Sequence, residues 1–248
     1  MKHKDFSGKM LENFDLWIIV EGSAGTNGST AWCKDFHRPS VSNDGTREYL
    51  SELKKKHPEK IFIDLPDRMW HSKDTMVNQA IDMIKAQGIE ECFLWEVDAD
   101  EQWEKDQLDR AEASLMNAGG KTGSFLCDYF LAEDLFAQGE WGEGRALPYR
   151  RLWNWKGEYF QSHEPPLLKG GNGKEVLIQG VRFNHYAYYF EKDVHFKSQY
   201  YGGHEMIYDP WLKLQIKSER EKMKFPLSIS YLFGSDNYIG KSKTIITE

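Results

Sequence analysis

The chain has little cysteine and no long hydrophobic run, and each absence excludes a class of protein. Only three cysteines occur among 248 residues, and none forms a Cys-x-x-Cys pair. Neither a disulfide framework nor a structural zinc site is therefore expected, and a reducing, cytoplasmic environment is favoured. The apolar runs are strand-sized, whereas a membrane span needs about 18 apolar residues. The polar start, Met1–Asp5, has no apolar segment behind it, which predicts no secretory signal.

Positive charge is also in short supply. There are 32 Lys and Arg against 39 Asp and Glu, a formal charge of −7, so charge gives no reason to expect nucleic-acid binding. Aromatic residues are abundant, with nine Trp, 12 Tyr and 14 Phe. They could line a ligand site because they offer a flat apolar face with a polar edge, but composition alone favours an ordinary core. The length fits one large α/β domain or two small ones, and oligomeric state is left open.

The first half of the chain alternates between strand and helix patterns. Apolar runs at Leu16–Glu21, Lys60–Leu65 and Cys92–Val97 predict buried strands. The helices expected between and after them are Arg47–Lys56, with Thr46 as its N-cap, Lys73–Gln87 and Asp106–Asn117. This alternation predicts a parallel sheet covered by helices. In such sheets ligands bind beyond the carboxyl ends of the strands.

The pattern changes near residue 120. Short β-like runs at Gly123–Phe130, Arg151–Trp155 and Val176–His185 are separated by Gly- and Pro-rich turns, which predicts an irregular, partly antiparallel region. Helices are expected near Asp193–Tyr200 and Pro210–Lys222. We therefore expect a single domain, 1–248, with a soft division into halves of about 15–120 and 121–248.

Asp98-Ala99-Asp100 is the strongest candidate for chemistry. Two carboxylates one residue apart after a buried strand form a compact negative site, and unpaired carboxylates there are costly. A Mg²⁺ or Mn²⁺ ion removes that cost and uses carboxylate and phosphate oxygens as ligands. A solvated turn that caps the next helix is the alternative. The position after an apolar strand favours the metal.

Three segments with polar and charged residues follow one another along the first half of the chain. Glu21-Gly22-Ser23 ends the first strand, with Asp44-Gly45-Thr46 after it; Lys73 and Asn78 lie on one helix; Asp98 and Asp100 follow the third strand. Together they resemble the nucleotide-sugar glycosyltransferases of the GT-A fold, similar to glycosyltransferase family 2. The likeness covers roughly residues 15–130. It implies a GT-A-like, Rossmann-like and mostly parallel sheet, with an acceptor region in the second half.

The resemblance also implies roles for these residues. Glu21, Gly22 and Ser23 would seat the nucleoside of a nucleotide-diphosphate sugar. Lys73 and Asn78 would lie near the same donor. Asp98 and Asp100 would hold Mn²⁺ or Mg²⁺ on the donor diphosphate.

The second half adds a base and a third metal ligand. His163-Glu164 resembles a His-Glu pair that lies beside the acceptor in bacterial sugar transferases. An inverting transfer needs a carboxylate to take the acceptor proton; Glu164 is the first candidate and Asp128 the second. His185 is the expected third ligand because GT-A enzymes often bring a late His to the metal; His195 and His204 are alternatives. An ordinary structural histidine is the competing interpretation.

The chain departs from the family in two ways. An insertion, Ala24–Asn43, separates Glu21 from the Asp-Gly-Thr element, and Met1–Asn13 reads as loop or helix where the family usually has its first strand. Either the chain is truncated or divergent, or that strand is supplied elsewhere. Thr244–Thr247 is a β-prone candidate to replace it. A nucleotidyltransferase, or a non-catalytic nucleotide-sugar or glycan-binding module, are the rival functions. The acceptor could be a saccharide, a protein, a lipid head group or a modified nucleic-acid base.

Overall fold

The computed structural model describes residues 11–133, 135–139, 148–202, 204–222, 227–228 and 237–241. Within them the chain forms two compact units. Unit 1 holds the described residues up to Leu94 together with Glu104–Thr122 and Leu152–Glu175. Unit 2 holds Trp95–Trp103, Gly123–Arg151 and the described residues from Val176 onwards. Neither unit is continuous in sequence.

Helices and strands alternate along the first half and strands dominate the middle. The strands are β1 (Trp17–Val20), β2 (Ile61–Asp64), β3 (Cys92–Trp95), β4 (Glu101–Gln102), β5 (Thr122–Ala132), β6 (Leu135–Gly139), β7 (Tyr149–Trp155), β8 (Phe160–His163), β9 (Pro166–Leu168), β10 (Glu175–His185), β11 (Leu227–Ser228) and β12 (Asn237–Lys241). The helices are α1 (Thr46–Lys56), α2 (Lys73–Ala86), α3 (Lys105–Asn117), α4 (Glu191–Tyr200), α5 (His204–Gln215) and α6 (Lys217–Arg220), with a 3-10 turn at Gly28–Thr30.

The sheets confirm a mixed α/β fold but not a mostly parallel sheet. β1 and β2 form a two-stranded parallel sheet in which Ile19 lies opposite Ile63. The larger sheet has the order β11-β12-β6-β5-β10-β4, and β7 pairs with both β5 and β3. Its pairs β11–β12, β12–β6, β6–β5 and β10–β4 are antiparallel. The short β5–β6 connection explains part of this, since antiparallel neighbours need only a tight turn whereas parallel ones need a crossover.

The helix starts follow local hydrogen bonding. Ser72 caps α2: its hydroxyl accepts from the Thr75 amide at 3.1 Å, and its own amide donates to the Thr75 hydroxyl. At α1 the prediction of Thr46 as N-cap is wrong by one residue. Gly45 is the N-cap, with a φ of 88°, a left-handed conformation that glycine adopts without steric cost. Asp44 then accepts from the Thr46 hydroxyl at 2.6 Å.

Much of the aromatic excess is core. In unit 1, Ile81 and Ile84 of α2 pack in one buried cluster with four residues from the second half, which are Trp153, Trp155, Phe160 and Leu168. In unit 2, Trp103 is buried and stacks on Phe183 with ring centroids 4.5 Å apart. The core interpretation is confirmed for these three tryptophans.

Two further expectations concern the ends of the chain and the membrane. Thr244–Thr247, the proposed replacement strand, lies outside the described residues. Among the described helices, none combines the length and hydrophobicity that crossing a membrane requires.

Candidate functional site

Unit 2 gathers four carboxylates, Glu96, Asp98, Asp100 and Glu101, which we call the acidic cluster. The first three lie between β3 and β4, and Glu101 is the first residue of β4. The Glu101 amide donates to the Asp98 carbonyl at 3.0 Å and closes a turn. β4 pairs antiparallel with β10 and sets His185 opposite Glu101. The Tyr186 amide also donates to the Asp100 carbonyl at 2.8 Å. Strand register therefore brings a histidine from far along the chain to the acidic cluster.

Arg151, the third residue of β7, supplies one positive charge to the acidic cluster. Its side chain is 5% exposed, and its Nε and Nη2 atoms donate to Glu101 Oε1 at 2.8 and 2.7 Å. The same Nη2 donates to Asp98 Oδ2 at 2.7 Å, and Glu96 Oε1 lies 4.0 Å from Nη1. A buried guanidinium is tolerated because several acceptors surround it. The Arg151 guanidinium thus orients the Asp98 carboxylate.

Asp100 lies between two other basic side chains. Its Oδ1 is 3.4 Å from His185 Nε2, and its Oδ2 is 3.6 Å from Lys197 Nζ of α4. Burial works to raise the pKa of Asp100, but the hydrogen bond and charge of His185, followed by the charges of Lys197 and Arg151, outweigh it and hold that pKa well below its usual range. Asp100 is therefore a carboxylate throughout the physiological range.

Glu101 is electrostatically different from Asp100. Its side chain is fully buried, and its Oε2 accepts from the Trp103 indole N–H at 3.1 Å. Burial raises the pKa of Glu101 to about 7, although the charge of Arg151 opposes the rise. The same carboxylate, with Asp98, raises the pKa of Arg151 well above its usual value against the opposing effect of burial. Glu101 therefore fixes the Arg151 guanidinium and the Trp103 indole beside the acidic cluster.

The side chains of Asp98, Asp100 and His185 are suitable ligands for a hard divalent cation, although they do not converge on one point. Among the described residues, no group of three or more His, Cys, Asp and Glu side chains is arranged as a metal site, because Asp98 turns to Arg151 and Asp100 to His185 and Lys197. Two carboxylates and an imidazole are nevertheless ligands that Mn²⁺ accepts. His185 Nδ1 is buried and makes no hydrogen bond within the described part of the chain, whereas metal-bound histidines usually donate through that second nitrogen.

Asp128, the second candidate base, lies in unit 2 on β5. Its Oδ1 accepts from Arg182 of β10 at 2.9 Å from Nε and 2.7 Å from Nη2. About a third of its side chain is exposed. A carboxylate in this pairing can take a proton only in competition with a guanidinium.

The three residues expected to seat a nucleoside hold a loop of unit 1 together. Glu21 is buried; its Oε1 accepts from the Ser42 amide at 2.9 Å, and its Oε2 lies 3.4 Å from Arg47 Nη1. Ser23 donates from its hydroxyl to the Pro39 carbonyl at 2.6 Å. Gly22 has a φ of 124°, and a Cβ there would meet the Trp70 indole nitrogen at 3.2 Å. Glu21 and Ser23 thus fix the insertion against the end of β1.

Lys73 and Asn78, the residues predicted to lie near the nucleotide sugar, are in unit 1 together with Glu164, the first candidate base. Lys73 Nζ forms an ion pair with Glu164 Oε1. Asn78, one turn further along α2, donates to the Phe160 carbonyl at 2.9 Å and accepts from the Phe160 amide at 2.8 Å. Asn78 therefore clamps the backbone of β8, and Lys73 contacts the side chain that follows this strand.

Two charged residues that sequence reasoning missed are central to these arrangements. Asp74 accepts from the Ser29 amide and the His163 amide, both at 2.8 Å, and from the Ser29 hydroxyl. Burial works to raise the pKa of Asp74, but the bonds from Ser29 and His163 outweigh it and lower that pKa. In the sequence Arg151 is only the first residue of the predicted β-like run Arg151–Trp155. The signal available for it is a charged residue next to the apolar pair Leu152 and Trp153, whereas Asp74 has no signal beyond that of a first-turn acid.

The rival nucleotidyltransferase would be expected to bind phosphate with a Gly-rich loop after its first strand, and such a loop follows β1 here. Three of its amides are used internally: Ser23 donates to the Ser40 carbonyl at 3.0 Å, Gly25 to the Trp70 carbonyl at 2.8 Å, and Ser29 to Asp74. Asn27 donates from its side chain to the His71 carbonyl at 2.8 Å. A phosphate cradle needs such amides directed at the ligand. The loop instead ties the insertion to the start of α2.

Comparisons of the chain with protein-family models, with curated proteins and with solved structures give no match.

Proposed function

We propose that this protein is a metal-dependent glycosyltransferase that moves a sugar from a nucleotide-diphosphate sugar to an acceptor hydroxyl, with inversion. The observation that carries the proposal is the approach of His185 Nε2 to 3.4 Å from Asp100, in the same acidic cluster as Asp98. The sequence predicts His185 as a third metal ligand beside the Asp pair, and β10 brings it there. The GT-A-like arrangement belongs to the same proposal, supported by the parallel β1–β2 pair and an acidic loop after β3.

The chain's own residues divide the work. Asp98, Asp100 and His185 would hold Mn²⁺ or Mg²⁺, which when bound supplies Lewis-acid stabilisation to the departing nucleoside diphosphate. Lys197 and Arg151 offset two of the four carboxylate charges of the acidic cluster and leave it net negative. A cluster of this composition favours a ligand that brings a cation together with phosphate oxygens.

The transfer breaks the bond between the anomeric carbon and the diphosphate oxygen. The acceptor oxygen forms the new bond to that carbon, and its proton passes to a carboxylate. Glu164 remains the first candidate for this base and Asp128 the second. Each is ion-paired in the structure, Glu164 with Lys73 and Asp128 with Arg182, so substrate binding has to loosen the pair that serves as base.

The nucleotidyltransferase is the weaker candidate because three amides of the loop that would bind its phosphates donate instead to Ser40, Trp70 and Asp74. The assay described next also tests the other rival, a non-catalytic module that binds nucleotide sugars or glycans.

The first prediction concerns Asp100. Purified protein is incubated with a panel of nucleotide sugars, hydroxyl acceptors and Mn²⁺, and released nucleoside diphosphate is measured. Asp100→Asn should lower transfer by about 10²-fold or more, since a lost electrostatic stabiliser typically costs that much. Asp106→Asn, an exposed aspartate on α3, is the matched control and should keep wild-type activity. Release of pyrophosphate would point to the nucleotidyltransferase, and binding without turnover to the module.

A second prediction separates the two candidate bases. Glu164→Gln should lower the turnover number by about 10²-fold, the usual contribution of a general base, while nucleotide binding stays unchanged. Asp128→Asn should lower it far less. The reverse order would move the base to Asp128 and leave the metal-dependent transfer intact.

A further inference from the structure

Asp74 connects three segments of unit 1 that are distant in sequence. It lies in the first turn of α2, and its Oδ1 accepts from the Ser29 hydroxyl and from the His163 amide at 2.8 Å. Its Oδ2 accepts from the Ser29 amide at 2.8 Å. The 3-10 turn and the end of β8 are therefore both fastened to one carboxylate.

The fastening reaches the backbone of Glu164. The Ser29 hydroxyl oxygen accepts from the His163 amide at 3.3 Å and from the Glu164 amide at 3.2 Å, while its proton goes to Asp74. Lys73, the neighbour of Asp74 on α2, pairs with the Glu164 carboxylate. Both the main chain and the side chain of Glu164 are thus held from the start of α2.

The site accepts a carboxylate at position 74 and a glycine at position 28. Every partner of Asp74 is a donor, so an Asn amide would set its NH₂ against one of them. A Cβ added to Gly28 would lie 2.0 Å from Asp74 Oδ2. The carboxylate therefore covers the glycine backbone with no room for a side chain.

From this geometry we propose that Asp74 is a positioning residue for Glu164, fixing the His163–Glu164 backbone so that the carboxylate faces the acceptor hydroxyl. The inference rests on the proposed function. It explains why a carboxylate that accepts from three donors lies beside the part-buried Lys73–Glu164 ion pair. It also gives the Gly-rich loop a role other than phosphate binding.

The activity test is a double-mutant cycle. Asp74→Asn should lower the turnover number by about tenfold or more, because small misplacements of a catalytic group are costly. The Mn²⁺ dependence and nucleotide affinity should stay within about twofold. In a Glu164→Gln background, measured in single turnover with excess enzyme, Asp74→Asn should have almost no further effect, since both changes act through one group. Equal factors in both backgrounds, or full activity of Asp74→Asn, would overturn the inference.

A second variant approaches the same contact from the other side. Gly28→Ala should reproduce the loss of Asp74→Asn by displacing the carboxylate. Gly119→Ala is the matched control, because Gly119 has a φ of 59°, close to the 63° of Gly28, yet has open space around it. Equal turnover in the two alanine variants would assign any Gly28 effect to backbone strain and contradict the proposal.

Hydrogen exchange distinguishes this inference from the proposed function. Asp74→Asn should speed exchange of the His163 and Glu164 amides by about tenfold or more, as expected when a protecting hydrogen bond is lost. The measurement needs no substrate. Unchanged protection would refute the positioning role even in an active enzyme, whereas faster exchange in a protein without transferase activity would count against the glycosyltransferase alone.

Discussion

Among single residues, Arg151 shows most directly how burial and charge are balanced. It is buried in β7 and reaches Glu101 and Asp98 at 2.7 Å each. Neither the buried Glu101 carboxylate nor the guanidinium would be stable there alone, because removing a charge from water costs several kcal/mol unless a partner compensates. The candidate site is thus preformed by protein charges before any ligand arrives.

The stability of this pairing can be tested by removal. Arg151→Met should lower the free energy of unfolding by about 1–3 kcal/mol: burial already raises the pKa of Glu101 to about 7, so without Arg151 the group is protonated at pH 7, and its buried oxygen loses the guanidinium donors. Arg182→Met, which breaks the half-exposed pair with Asp128, should cost no more than about 1 kcal/mol. Urea denaturation at pH 7 measures both. A double variant, Arg151→Met with Glu101→Met, should recover most of the lost free energy of unfolding. Failure to recover it would show that the two side chains stabilise the fold by more than compensating each other's charge.

Asp74 gives a pH dependence whose sign follows from its lowered pKa. A carboxyl group whose pKa falls on folding stabilises the native state above its unfolded value and loses that stabilisation as pH falls through the folded value. Its ordinary value is 3.8. The stability difference between wild type and Asp74→Asn should therefore be largest at pH 5 and above, and should shrink as the pH falls below about 4. A difference that grew on acidification would contradict the hydrogen-bonded carboxylate; denaturation curves at pH 6, 4 and 3 decide it.

At the level of elements, α2 organises unit 1. One face packs Ile81 and Ile84 into the core, and its first turns carry Lys73, Asp74 and Asn78. The position of these three side chains depends on where the helix begins, which the Ser72 cap determines.

Removal of that cap is the corresponding prediction. Ser72→Ala should destabilise the protein by about 1 kcal/mol, since it deletes the acceptor for the Thr75 amide. Ser114→Ala is the control: Ser114 lies inside α3 and only donates back to the Arg110 carbonyl, so alanine there should be neutral or slightly stabilising. Equal losses in thermal or urea unfolding would contradict the capping role.

Local elements could be predicted from the sequence, whereas their partners could not. The helix over Lys73–Ala86 follows from apolar spacing and a terminal Gly88, both of which are short-range signals. The pairing of β3 with β7, and the meeting of Arg151 with Glu101, depend on contacts that no local period encodes. His185 was anticipated through a resemblance, while its delivery to Asp100 depends on the β4–β10 register.

For the whole molecule, the soft change near residue 120 does not coincide with a division of the core. The buried cluster of unit 1 takes two members from the first half and four from Trp153–Leu168. The expected nucleotide-binding half, about 15–120, therefore contains only part of the hydrophobic surface that its own helix α2 requires.

A fragment ending at residue 121 should consequently fail to fold by itself. Losing a buried aromatic side chain costs about 3–5 kcal/mol, and three aromatics and a leucine are lost together, against a total stability of about 5–15 kcal/mol for a typical domain. We expect the fragment 1–121 to show no cooperative urea transition and no native-like near-ultraviolet signal, while the full chain shows both. The matched point variants Ile81→Ala and Leu168→Ala, one from each side of residue 121, should each destabilise the full chain by about 2–5 kcal/mol. A cooperatively folding fragment would mean that the first half completes its core without these residues, and the interpretation of unit 1 as one packed body would be wrong.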